Sequence, residues 1–148
     1  SRIYNQVAKH NSGTISAFRS AKKCNKGDAY TTKENKDNSA ILKAKLLKKG
    51  YGVTKVKGTY IENYNSGNEI EVQEDSYMVI DLTDKGTLKK DLIELGTLFE
   101  QDSITYQEKG GNYYLISTNK CPEGYPGFGA IGKELKLGKT IYGKKGEF

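Results

Sequence analysis

The stretch TLKKDLIELGTLFEQ (residues 87–101) decides how the rest of the chain is read. At about 100° per residue, Leu88, Leu92, Leu95 and Phe99 fall on one stripe, and Lys89, Lys90, Glu94, Glu100 and Gln101 face away. The spacing predicts a helix that buries one side. Gly96 beside that stripe costs about 1 kcal/mol relative to Ala, so its place there points to a sheet approaching closely.

Upstream, GVTKVKGTYIE (52–62) and IEVQEDSYMVIDL (70–82) flank NYNSGN (63–68), which has turn chemistry. The two read as the strands of a hairpin, with Val56 and Tyr60 on one face and Lys55 and Lys57 on the other. The alternation slips between Glu74 and Tyr77, which predicts a bulge near Asp75. Before the hairpin, Thr31-x-x-Glu34 has capping-box spacing and opens a helix over about 35–49. Leu42, Leu46 and Leu47 share its apolar face, Lys45, Lys48 and Lys49 gather on another, and Gly50 supplies the left-handed residue that ends it. TISAFR (14–19) reads as a strand with Ile15, Ala17 and Arg19 to one side. After the second helix, ITYQE (104–108), a Gly110-Gly111-Asn112 turn and YYLIST (113–118) form another strand pair.

The order is β-α-β-β-α-β with an extra β. It predicts an α+β two-layer sandwich, a mainly antiparallel five-stranded sheet with two helices on one face. The other face, carrying Lys55, Lys57, tyrosines and carboxylates, is expected to be wet. Residues 1–119 read as this single domain. Residues 120–148 hold 7 of the 17 glycines and both prolines and read as a Gly/Lys/Tyr-rich arm, with 133–137 and 140–142 as short edge strands.

The 148 residues, 35% apolar and 28% charged with a mean hydropathy of −0.72, suit one modest core. No run approaches the roughly 18 apolar residues of a membrane span, so no membrane partner is expected. The net charge of +6 favours polyanions. Of the 24 cations, however, only Arg2 and Arg19 are Arg, and Arg supplies the planar fork that reads phosphates and bases. An A/T-rich genome enriches Lys, Asn, Ile and Tyr without selection for binding.

Site chemistry is sparse. The RNA-binding pattern of basic-Gly-aromatic-x-aromatic is absent, since the matching strand reads Glu74-Asp75-Ser76-Tyr77-Met78-Val79. Tyr60, Tyr77, Tyr106 and Tyr113 offer stacking faces or, more simply, packing. Glu62, Glu71, Glu74, Asp75 and Asp81 are the carboxylates that a divalent metal would need, or a solvated sheet edge. His10 is the only histidine, with no nucleophile beside it by motif. Cys24 and Cys121 read as two reduced thiols, and neither a metal nor a cofactor is expected.

GTISAFR (13–19), LLKKGYGVTKVKGTYIE (46–62), EDSYMVIDL (74–82) and LGTLFEQDSITY (95–106) resemble an uncharacterised family of small phage and bacterial proteins, over about residues 12–120. NKCPEGYPGFG (119–129) shares the likeness, whereas 20–33 looks like an insertion. The resemblance implies a phage-like or bacterial, cytoplasmic setting and carries no catalytic residue.

The expected function is thus a non-enzymatic, phage-type accessory module that engages a nucleic-acid or protein partner. Phosphate contacts would come from Lys45, Lys48, Lys49, Lys55, Lys57, Lys144 and Lys145. One alternative is a virion-associated or host-defence-inhibiting protein acting by protein contact. The other is a metal-dependent phosphoryl-transfer enzyme using the strand carboxylates.

Overall fold

The computed structural model describes residues 2–19, 30–62, 70–120 and 129–138. Helix α1 (Arg2–Lys9) leads into β1 (Ser12–Ile15), α2 (Thr32–Lys48), β2 (Gly52–Glu62) and β3 (Ile70–Ile80). Then follow α3 (Leu88–Leu98), β4 (Ser103–Gln107), β5 (Tyr113–Ser117) and β6 (Glu134–Gly138). The six strands form one sheet in the order β2-β3-β1-β4-β5-β6, with every neighbouring pair antiparallel. The α+β sandwich is as the sequence predicts, with one strand more than the five expected. β6 supplies it, close to the predicted edge strand at 133–137; residues 140–142 lie outside the described residues.

Both long helices pack on one face. Leu42 and Leu46 of α2 and Leu88, Leu92, Leu95 and Phe99 around α3 are buried with Ile15, Tyr77, Val79, Ile104, Tyr106 and Ile116 of the strands. Leu47 is a correction: it is half-exposed, because it lies one residue beyond the stripe that touches the sheet. The capping box forms as predicted, with Glu34 N donating to Thr31 Oγ1 and Thr31 N to Glu34 Oε1. Two glycines let α3 sit close to the sheet centre. A Cβ on Gly96 would lie 2.7 Å from Thr118 Cγ2, and one on Gly13 would lie 2.4 Å from both Leu92 Cδ1 and the Thr105 carbonyl oxygen.

The opposite face is not simply wet. Val7 of α1 packs with Met78, Ile80 and Tyr113 there, and Val56 closes on the same cluster. This corrects two expectations. The β2–β3 register runs unbroken from Gly52↔Ile80 to Glu62↔Ile70, so no bulge interrupts it at Asp75. The lost alternation has another cause: Tyr77 and Val79 face α2 and α3, while Met78 and Ile80 face α1, so both faces are apolar. Lys55 sits opposite Tyr77 in the ladder, two residues from Val53 and so on the same face, which places it on the side of the long helices.

Candidate functional site

Of the described lysines expected to bind phosphate, Lys45, Lys48 and Lys49 lie at the end of α2 and Lys55 and Lys57 on β2. Lys45, Lys48 and Lys57 are exposed. Lys49 Nζ lies 3.8 Å from Asp91 Oδ1, and Lys55 Nζ lies 3.2 Å from Asp75 Oδ2, so these two already face carboxylates. Lys144 and Lys145 lie outside the described residues, as do Cys24 and Cys121. Among the tyrosines weighed for stacking, Tyr77, Tyr106 and Tyr113 are buried core residues. The side chains of Tyr60, Glu62, Glu71 and Glu74 are outside what is described. Asp81 is fully buried and accepts from the backbone N–H groups of Lys85 and Gly86, so it ties the turn before α3. Among the described residues no group of three His, Cys, Asp or Glu side chains is placed to hold a metal ion. No described helix is long and apolar enough to cross a membrane.

Polar side chains gather instead at the two ends of α3. At the N-terminal end, Asp91 is buried and accepts from the hydroxyl of Tyr51, while Thr87 Oγ1 donates to the same Oδ2 at 3.3 Å. Lys85 Nζ approaches that oxygen at 3.9 Å, donates to the Lys49 carbonyl at 3.0 Å and lies 4.9 Å above the Tyr51 ring. Burial and the bond to Asp91 push the Tyr51 hydroxyl well above its ordinary range. A carboxylate in the first turn also suits the positive end of the helix. Every group in this cluster has a partner that accounts for it.

The C-terminal end is built differently. Gln101 N donates to the Gly96 carbonyl and Glu100 N to the Thr97 carbonyl, the paired bonds of a Schellman motif. The left-handed position of that motif is normally Gly. Here it is Glu100, at φ 56°, and a non-Gly residue there costs on the order of 1–2 kcal/mol. Its side chain meets two partners. Arg19 Nη1 donates to Oε2 at 2.5 Å, and the Tyr30 hydroxyl donates to Oε1 at 2.9 Å. That second bond is the main reason the Tyr30 hydroxyl is raised in pKa, with burial adding to it.

Arg19 follows β1 and is only 6% exposed. Its backbone is held like a strand residue: Asn35 Oδ1 accepts from Arg19 N at 2.9 Å, and Tyr30 N donates to the Arg19 carbonyl. The guanidinium lies 5.1 Å from the Tyr30 ring centre. Its Nη1 is used on Glu100, but Nε and Nη2 are buried without a hydrogen-bond partner. Gln101 Nε2 donates to the Phe18 and Phe99 carbonyls, and Asn119 Nδ2 donates to Oδ1 of Asp102, the residue after Gln101.

This corner joins the end of β1, the start of α2 and the end of α3, and residue-type motifs do not find it. The available signals were the rarity of Arg in a Lys-rich chain and the stretch LGTLFEQDSITY (95–106), one of those that carry the resemblance.

The comparisons identify the family. The model of the S-adenosylmethionine lyase family matches residues 13–141 of the 148. No curated protein matches the chain. A solved structure, a phage SAM lyase in complex with S-methyl-5'-thioadenosine, is similar at 20% identity, with a TM-score of 0.40. That likeness covers 72% of this chain and 87% of the other. The family match overturns the reading of an uncharacterised family. It equally overturns the expectation of a non-enzymatic accessory module, its protein-contact and phosphoryl-transfer alternatives, and the leaning against an enzyme. The leaning against an enzyme rested on missing triads and metal sites, which is evidence only against reactions that need them.

Proposed function

Because the chain belongs to the S-adenosylmethionine lyase family, we propose that it is an enzyme that splits S-adenosylmethionine at a carbon–sulfur bond without using water. The observation that carries the reading is the family match over residues 13–141. The substrate's chemistry explains how so plain a site suffices. Its sulfonium makes the thioether a neutral leaving group, so no acid has to protonate it.

Breaking the bond from sulfur to Cγ of the methionine portion sends the electron pair to sulfur and releases S-methyl-5'-thioadenosine. The same molecule holds the nucleophile. Its carboxylate oxygen forms the new bond to Cγ, closing a lactone while the ammonium stays protonated, so atoms and charges balance. A cation and an anion disappear in this step, which makes the transition state less charged than the ground state. A water-poor corner therefore favours it over bulk solvent. Holding the carboxylate and Cγ in line removes the orientational part of the barrier.

The C-terminal end of α3 supports the reading because it offers matching chemistry: a guanidinium for the carboxylate, and the Glu100 carboxylate for a cationic group. The lysines then belong to a solvated surface, and the cytoplasm is where such a substrate is met. Incubation of the purified protein with S-adenosylmethionine in H₂¹⁸O tests the proposal by chromatography and mass spectrometry. S-Methyl-5'-thioadenosine is expected, with a four-carbon fragment that carries no ¹⁸O as it forms. Unchanged substrate, or ¹⁸O incorporated in the first turnovers, would overturn it.

A further inference from the structure

Arg19 is a permanently charged side chain that keeps two of its three nitrogens out of water and unpaired. Burying such donors without acceptors is expensive, and buried polar groups in folded proteins nearly always find partners. Two other features hold the charge in place instead of relieving it. Asn35 fixes the Arg19 backbone, and Glu100 takes only Nη1, from a half-exposed side chain carried on a strained left-handed residue. Gly at residue 100 would relieve the left-handed strain but would leave Arg19 without its carboxylate, so the strain and the pair are kept together. The arrangement keeps one edge of the guanidinium, Nε with Nη2, in reserve.

That edge is planar, presents parallel donors, and matches the two oxygens of a carboxylate. Glu100 beside it disfavours a doubly charged phosphate and welcomes an ammonium, so the pair together suits the zwitterionic end of an amino acid. We infer that the Nε–Nη2 edge of Arg19 recognises the α-carboxylate of S-adenosylmethionine, with Glu100 beside the α-ammonium. The assignment rests on the proposed function and makes Arg19 a residue that touches substrate and orients its nucleophilic oxygen. Both nitrogens lie below the surface, so a ligand must open this corner to reach them, and association is slower than into a ready-formed cleft.

Two ligands that cannot react separate this role from a structural one. S-Adenosylhomocysteine carries the α-carboxylate, whereas S-methyl-5'-thioadenosine lacks it. By calorimetry, Arg19→Gln should weaken S-adenosylhomocysteine about 10- to 100-fold, as expected for losing a charge-assisted pair of bonds, and leave S-methyl-5'-thioadenosine within about twofold. Arg19→Lys keeps the charge but not the fork, and should show the same selective loss in milder form. Equal weakening of both ligands, or of neither, would overturn the assignment while leaving the proposed function intact. Binding of neither ligand by the wild type would overturn both. If neither variant folds, the wild type still decides: the methyl ester of S-adenosylhomocysteine should bind at least about tenfold more weakly than the acid, and equal binding would overturn the assignment.

Discussion

The two ends of α3 carry the same kinds of groups, a carboxylate, a tyrosine and cations, and use them in opposite ways. At the N-terminal end Asp91 is buried and fully engaged by Tyr51, Thr87 and two lysines, so its charge is spent on holding β2 and the preceding turn to the helix. At the C-terminal end the carboxylate is half-exposed and the cation is buried, with donors left over. A network whose bonds are complete stabilises a fold. One that is incomplete, and sits on a strained turn, is where a ligand completes it.

The largest expected effect falls on what the two ends share. Leu92→Ala empties the middle of the α3 stripe against the sheet, where the side chain is fully buried. It should cost about 2–5 kcal/mol in denaturant unfolding and weaken both ends together. A loss near zero would mean that α3 does not couple them.

Asp91→Asn comes next. It leaves Lys49 and Lys85 facing a neutral amide and breaks the bond pattern around Tyr51. A destabilisation of about 1–3 kcal/mol is expected, with no change in the affinity for S-methyl-5'-thioadenosine. Loss of affinity without loss of stability would reverse the roles given to the two ends.

A smaller difference reports on the strained turn. Glu100→Ala keeps the left-handed penalty and removes the partner of Arg19, whereas Glu100→Gly removes both. The Gly variant should be the more stable of the two by about 1 kcal/mol. Equal stabilities would show that the turn stores no strain. The smallest effect concerns pH. Burial pushes the Tyr106 hydroxyl up to about 12 from its ordinary 10.0. Above pH 10 the unfolded chain loses this proton more readily than the folded one, so stability falls as pH rises through that window. Tyr106→Phe should flatten that alkaline limb in thermal melts, and an unchanged slope would assign it to other groups.

Elements whose signals are local were legible. The Thr31–Glu34 box, the α3 stripe, Gly96 and the β2–β3 hairpin each depend on residues within a few positions of one another, and all are where the spacing puts them. Helix α1 was missed because its eight residues make only about two turns, too short a window for a periodic signal to stand out; among its described side chains Val7 is buried. Its presence against Met78 and Ile80 is also why a run with two buried faces was mistaken for a bulged strand. The site was illegible for a different reason. Arg19 meets Glu100 across 81 positions and Asn35 across 16, so only the completed fold brings them together. The proposed reaction adds to this, because a substrate that carries its own nucleophile and a neutral leaving group demands no triad and no metal-ligand spacing.

Turnover of S-adenosylmethionine by the wild type, Asp91→Asn and Arg19→Gln, measured side by side below their melting temperatures, tests this account most directly. The wild type should release S-methyl-5'-thioadenosine, and Asp91→Asn should do so at a comparable kcat/KM while melting earlier. Arg19→Gln should stay folded and lose kcat/KM by at least about tenfold. An inactive wild type, or an Asp91→Asn variant that loses activity while Arg19→Gln keeps it, would contradict the account.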